Sequence, residues 1–316
     1  MGVVPLLDRR LLFVTGKGGV GKTTVAAGLA LLAARSGKRT LVCEFDAKGD
    51  LADAFEVDRL AFQAREVQPS LWAMSMDTEA SLKEYLSLQL RLPLLSKIGP
   101  LARTFDWVAT AAPGVKEILT VGKVAYEVRE DHYDLVVVDA QATGHIVGQL
   151  RAPQAINELI AVGLVKDQTG WMIDLLENPA TTGVVIVSSP EEMPVTESLE
   201  LIERLADTET DVAAVVVNRV LPELFGRGEE ELFEALREPH AEEALSEAVG
   251  APAGPVLEAA RLAVTLRRTR AGHLTRLREG VGPTLPVLYV PELFARAPGM
   301  RSTSQVATHL GEELGL

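Results

Sequence analysis

A single cysteine, Cys43, is all the thiol that this chain of 316 residues carries. No disulfide framework can form within it. A lone cysteine inside the apolar run Leu41-Val42-Cys43-Glu44-Phe45 is read as a buried strand residue. Basic charge is scarce as well. Against 44 aspartates and glutamates stand 31 lysines and arginines, and the net charge of −13 argues against a broad nucleic-acid-binding face. The one dense basic stretch holds Arg261, Arg267, Arg268, Arg270, Arg276 and Arg278; it is either a local basic patch or, the preferred reading, a solvated helix face balancing the glutamates upstream. No apolar run approaches the roughly 20 residues that cross a bilayer. The opening residues have no signal-peptide core, because Arg9 and Arg10 are followed at once by an apolar strand. These absences lead to the expectation of a cytoplasmic protein with no stable membrane insertion.

What is present is enough to bury a large core: 47% of residues are hydrophobic and 24% charged. Strands are expected at Leu11–Val14, Leu41–Phe45, Leu135–Val138, Val184–Val187, Val212–Val217 and Pro286–Val290, and Val67–Met76 is read as another strand with its approach. Helical patterns lie at Val25–Ala33, Ala155–Leu176, Glu197–Ala206 and Ser304–Leu314, with a charged helical pair at Glu229–Leu245 and Leu257–Leu277. From Ser81 to about Val124 the pattern is helical too, cut into pieces by Pro93, Gly99, Pro100 and Pro113-Gly114. Alternation of this kind predicts an α/β fold with a doubly wound, mostly parallel sheet, covering residues 1–316 as one domain. A helical subdomain is expected to be inserted in it, from residues 81–124 and 150–180.

The strongest motif is Gly16-Lys17-Gly18-Gly19-Val20-Gly21-Lys22-Thr23-Thr24, set between the first strand and the first helix. Strand, glycine-rich turn and helix are the context that makes G-x-x-x-x-G-K-[ST] a P-loop. Glycines let the backbone wrap an anion without Cβ clashes, while N–H groups of the turn and helix N-terminus stabilise phosphates. Lys22 is expected to reach the β- and γ-phosphates of ATP and Thr23 to ligate Mg²⁺. Two aspartates close parallel strands, where α/β sheets place their ligands. Asp139, after Leu135–Val138, fits the carboxylate that holds the metal shell. Asp46, after Leu41–Phe45, is placed to orient or deprotonate an attacking water.

Lys17, directly after the first glycine, sits too early to be the usual P-loop lysine. The loop G-K-G-G-V-G-K-T-T resembles the deviant Walker A loop of the P-loop ATPases that include MinD, ParA, the nitrogenase iron protein and the arsenite-pump/Get3 branch. That resemblance implies a dimer with nucleotide at its interface and Lys17 crossing to the partner's phosphates. Asp139-Ala140-Gln141-Ala142-Thr143-Gly144-His145 resembles the D-T-A-P-T-G-H signature of the arsenite-pump/Get3 branch. Asp53-Ala54-Phe55, Pro113-Gly114-Val115-Lys116-Glu117 and Pro190-Glu191-Glu192-Met193-Pro194-Val195-Thr196-Glu197 are similar to further segments of it. By the same resemblance, Asp46 is the hydrolytic carboxylate of switch I and Glu191 contacts nucleotide across the dimer. Asn218 reads the adenine, and Pro291 with Glu292 lines its pocket. The chain departs from the branch where Ala47-Lys48-Gly49 replaces Pro-Ala-His and where Ala142 replaces the switch II proline. It lacks the Cys-x-x-Cys that clamps zinc-bridged dimers, the metalloid-binding cysteines of arsenite pumps and the cysteine pair of an iron–sulfur bridge. His145 has no spaced partner and is read as a switch residue.

The resemblance implies an ATP-hydrolysing dimer, with an identical or paralogous partner, that closes on ATP to bind an apolar client such as a membrane-protein segment. Groove candidates are Leu92, Leu94, Leu95, Ile98, Leu101, Phe105, Trp107 and Val108, joined by Leu159, Ile160, Trp171, Met172 and Ile173. Whether these form a groove or pack as core stays open. The alternative is the energising subunit of a membrane anion transporter. A MinD/ParA-like spatial organiser is disfavoured, because Ser304–Leu316 carries Glu312 and Glu313 and no lysine or arginine to hold a membrane surface.

Overall fold

The computed structural model describes residues 4–46, 48–90, 114–223, 226, 229–236, 238–294 and 299–316. Eight strands form one sheet: β1 Leu11–Gly16, β2 Thr40–Glu44, β3 Arg65–Gln68, β4 Leu71–Ser75, β5 Leu135–Asp139, β6 Thr182–Ser188, β7 Val212–Val220 and β8 Val287–Pro291. Their order is β3-β4-β2-β5-β1-β6-β7-β8. Every neighbouring pair is parallel except β3 with β4. Eleven helices are described: α1 Lys22–Arg35, α2 Asp50–Ala54, α3 Thr78–Leu90, α4 Val115–Arg129, α5 Thr143–Leu159, α6 Leu164–Glu177, α7 Glu192–Leu205, α8 Glu229–Leu236, α9 Pro239–Val249, α10 Gly254–Val281 and α11 Met300–Leu314.

Continuous apolar strands are what a sheet covered on both faces requires. Successive side chains point to opposite faces. Leu12, Val14, Val42, Leu135, Val137, Val185 and Val187 join one core with α1, α2 and α11. Leu11, Phe13, Leu41, Cys43, Val136, Val138, Val184 and Ile186 join the other with α4, α5, α7 and α10. Cys43 is fully buried there, as expected, and burial pushes its thiol pKa far up.

The structure corrects several boundaries. The stretch Val67–Met76 is the last part of one strand, a turn, and a second strand. Pro69 has no N–H for a ladder, and Ser70 turns the chain at φ +61°, its N–H donating to Glu66 Oε1 at 3.2 Å. Helix α5 begins at Thr143, well before Ala155, because Ile146, Val147 and Leu150 are buried against the sheet and hold a segment that Gly144, Gly148 and Pro153 weaken locally. Gly163 then separates α5 from α6. The expected helix Glu229–Leu245 is two helices, with Pro239 opening the second.

Helices α3, α4, α5 and α6 enclose a cavity of about 300 Å³ whose walls include Leu82, Ile118, Leu119, Val165, Trp171 and Met172. Of the groove candidates, Trp171 and Met172 line it, while Leu159 is 84% exposed. Leu92, Leu94, Leu95, Ile98, Leu101, Phe105, Trp107 and Val108 lie outside the described residues. Among the described residues no helix is long and apolar enough to cross a membrane.

Candidate functional site

Parallel strands deliver their C-terminal ends to one edge of the sheet, and every strand-borne candidate is there. Gly16 ends β1, Glu44 ends β2, Asp139 ends β5, Asn218 lies near the end of β7, and Pro291 ends β8. Between β1 and α1 the chain turns through Lys17, Gly18, Gly19, Val20 and Gly21, with positive φ at Gly19 and Gly21. The N-terminus of α1, carrying Lys22, Thr23 and Thr24, faces back toward that turn. N–H groups of its first turn have no intrahelical partner, the arrangement with which helix N-termini can hold an anion. Lys22 folds back over the loop, its Nζ 3.4 Å from the Lys17 carbonyl.

Thr23 Oγ1 donates to Asp139 Oδ2 at 2.6 Å, joining the P-loop helix to the end of β5. The other carboxylate oxygen, Asp139 Oδ1, is buried with no hydrogen-bond partner. A buried acceptor without a donor, beside a threonine hydroxyl, fits a divalent cation held by Asp139 and Thr23. Burial raises the Asp139 pKa to about 7, against the opposing pull of Thr23 and Lys22. Burial also lowers Lys22, partly offset by Asp139. Desolvation thus pushes both groups toward their neutral forms.

That asymmetry has a measurable sign. A carboxyl held protonated in the folded state stabilises the fold fully below its unfolded pKa, near 4, and loses that contribution as pH rises to about 7. In chelator-treated protein, Asp139→Asn is expected to raise the melting temperature over wild type by a few degrees at pH 8. The gain should shrink toward pH 5. A gain independent of pH would mean that Asp139 is ionised throughout.

Asp46 emerges just beyond β2, with Oδ2 3.0 Å from Lys48 Nζ. It opens onto a polar cavity of about 410 Å³ shared with Phe45, Thr120, Gln141, His145 and Gln149. Gln149 Oε1 is buried without a partner, so this cavity has the polar wall that holds water. His145 lines the cavity from the first turn of α5, and among the described residues no cluster of three metal-ligating side chains exists.

Three sequence candidates make contacts that residue types alone did not indicate. Lys17 Nζ pairs with Glu197 Oε1 of α7 at 2.6 Å, and Glu197 Oε2 lies 3.4 Å from the Thr143 hydroxyl that opens α5. Asn218 Nδ2 donates to the Val20 carbonyl at 2.9 Å, and its Oδ1 accepts from Arg219 N–H. Glu191 flanks α7, with Arg270 Nη2 3.8 Å away. The arginine cluster faces upstream glutamates, as expected, since Arg267 also approaches Glu223 at 3.5 Å, and Arg278 in addition stacks over Tyr289. Pro291 pairs with Val220, close to Asn218 on β7. Sequence reasoning missed Glu44 and, as a partner of Lys17, Glu197. The signal for Glu44 was a carboxylate inside an otherwise apolar strand.

Residues 9–167 and 161–242 match the profile of a family described as anion-transporting ATPase. The ATPase BagA of Mycobacterium tuberculosis is 35% identical over 224 residues, covering 67% of this chain and 66% of BagA. A putative ATPase of Mycobacterium bovis matches to the same extent. The chain thus spans just under two thirds of the length of these mycobacterial relatives. A putative arsenical pump-driving ATPase of Halobacterium salinarum is 30% identical over 275 residues, 79% of this chain and 42% of that protein. The ATPase GET3 of Podospora anserina is 27% identical over 256 residues, 68% of this chain and 75% of that protein.

Proposed function

The chain belongs to the anion-transporting ATPase family, and on that premise we propose that it is a Mg²⁺-dependent ATP hydrolase that works as a dimer and binds an apolar client. The observation that carries the hydrolase reading is the Thr23–Asp139 contact with a buried, unpartnered Asp139 Oδ1, set behind a complete P-loop. Gly16, Gly18, Gly19, Val20 and Gly21 supply the backbone cradle, Lys22 binds the β- and γ-phosphates, and Thr23 and Asp139 hold the metal. The metal's contribution is neutralisation of phosphate charge. Asp46 orients or deprotonates a water from the polar cavity.

In the dimer, Lys17 exchanges Glu197 for the partner's phosphates, and Glu191 reaches nucleotide across the interface. Asn218 braces Val20 while Pro291 flanks the adenine. These assignments rest on the deviant P-loop and the branch segments around it. The partner is a second copy or a paralogue, and the compartment is the cytoplasm. For the client, the supporting observation is the apolar cavity among α3, α4, α5 and α6. A second reading, an energising subunit of an anion transporter, is favoured by the family description and by the printed name of the halobacterial relative.

The test is capture of a labelled apolar helix, of the kind that anchors a membrane protein by its tail, with Mg-ATP and without nucleotide. ATP-dependent capture, lost in Lys17→Ala, is the expected result. Hydrolysis without capture in either state overturns the client and leaves the transporter reading. Absence of hydrolysis overturns the ATPase itself.

A further inference from the structure

Glu44 is a carboxylate where the fold has little reason to keep one. It ends β2 with only 2% of its surface exposed, in a strand whose other members are all buried. In the sheet it lies directly beside Asp139, a second buried carboxylate. Two like charges that close disfavour each other, and burial raises the pKa of both. A carboxylate buried there needs partners for its oxygens.

Its oxygens close a turn. Glu44 Oε1 accepts from Gly49 N–H at 3.0 Å, and the backbone N–H groups of Leu51 and Asp50 also support the carboxylate. Those are donors at the start of α2, which have no partner within the helix. The same residue is fixed from behind, because Met76 N–H donates to its carbonyl at 2.8 Å. Its neighbour Phe45 packs edge-on to Phe13 in the same core layer, and Phe45 N–H donates to the Asp139 carbonyl. Glu44 and Gly49 are therefore tied to each other, and Asp46 lies between them in the sequence.

We propose that Glu44 is a positioning residue: its side chain reaches across the turn to Gly49 and holds Asp46 at the place from which it serves hydrolysis. The inference rests on the reading of Asp46 as the residue that acts on the attacking water. What matters is reach. Glutamate spans the turn from the strand end, aspartate is one methylene too short, and glutamine keeps both the length and one accepting oxygen.

The experiment compares Glu44→Asp and Glu44→Gln with wild type for kcat, KM for ATP, melting temperature and amide exchange over residues 45–55. Misplacing a reacting group by about 1 Å costs one to two orders of magnitude. Glu44→Asp is therefore expected to lower kcat at least about tenfold with KM within about twofold, and to speed exchange at Gly49, Asp50 and Leu51. Glu44→Gln should stay within about fivefold of wild type with those amides still protected. A Glu44→Asp protein with wild-type kcat and exchange overturns the proposal. So does a Glu44→Gln protein as impaired as the aspartate variant, or a loss confined to KM. If wild type itself does not hydrolyse ATP, the ATPase reading has failed, and exchange alone decides on Glu44. Identical protection of residues 49–51 in wild type and Glu44→Asp then overturns it. Should Glu44→Asp not fold, the exchange and kcat of Glu44→Gln carry the same decision.

Discussion

An Asp46→Asn protein is expected to bind ATP with a Kd within about threefold of wild type and to hydrolyse it at least about a hundredfold more slowly. The split follows from where the carboxylate sits. Asp46 bonds to Lys48 on its own turn, while the phosphate cradle is built from residues 16–21, Lys22 and Thr23 on the other side of the strand ends. Its influence on Lys22 is a long-range field that holds the ammonium charged, and losing one negative charge there does not weaken phosphate binding. The Asp46–Lys48 pair is largely solvated, so its loss costs the fold about 1 kcal/mol at most. Binding is read by titration calorimetry and turnover by phosphate release. Equal loss of both would remove Asp46 from its assigned role, and unchanged turnover would move that role to another group around the polar cavity.

The parts of this site that were legible in the sequence are those whose chemistry is local. A P-loop is one contiguous run between a strand and a helix, so residues 16–24 could be read without knowing the rest of the chain. Asp46 and Asp139 were legible because strand ends in a parallel sheet converge on one edge. What stayed hidden are bonds between residues far apart in sequence. Lys17 and Glu197 are separated by 180 positions and Asn218 and Val20 by 198. No periodicity announces such pairs. The strand expected with its approach at Val67–Met76 is Leu71–Ser75, and what the sequence did not show is that the approach is itself paired, with Arg65–Gln68 running antiparallel to it. Helix α5 starts ahead of the expected Ala155, because burial of Ile146 and Leu150 holds a stretch that Gly144, Gly148 and Pro153 weaken locally. Tertiary packing overrides local propensity there.

The glycines of the P-loop separate into one that the fold needs and one that the ligand needs, and alanine at each should fail differently. Gly16 is the last residue of β1, paired with Val187 of β6, at φ +153°. A Cβ there would lie 2.1 Å from the Val187 carbonyl oxygen, which is backbone and held in the sheet. Relief requires parting two inner strands, β1 and β6, at the point where the loop leaves the sheet. Gly16→Ala is expected to cost more than about 4 kcal/mol and to leave no soluble, cooperatively melting protein. At Gly18 an added methyl would meet nothing within 4 Å, and φ does not demand glycine. Gly18→Ala should therefore fold with a melting temperature within about 3 °C of wild type. Gly18 belongs to the loop proposed to cradle the phosphates, so the same methyl is expected to weaken ATP binding at least about tenfold. Melting curves and nucleotide titrations on the two variants check this. A folded Gly16→Ala protein would mean that β1 and β6 separate more easily than their pairing implies. A Gly18→Ala protein with wild-type affinity would place the phosphates elsewhere than against the first half of the loop, and Lys22 with the first turn of α1 would then have to hold them without it.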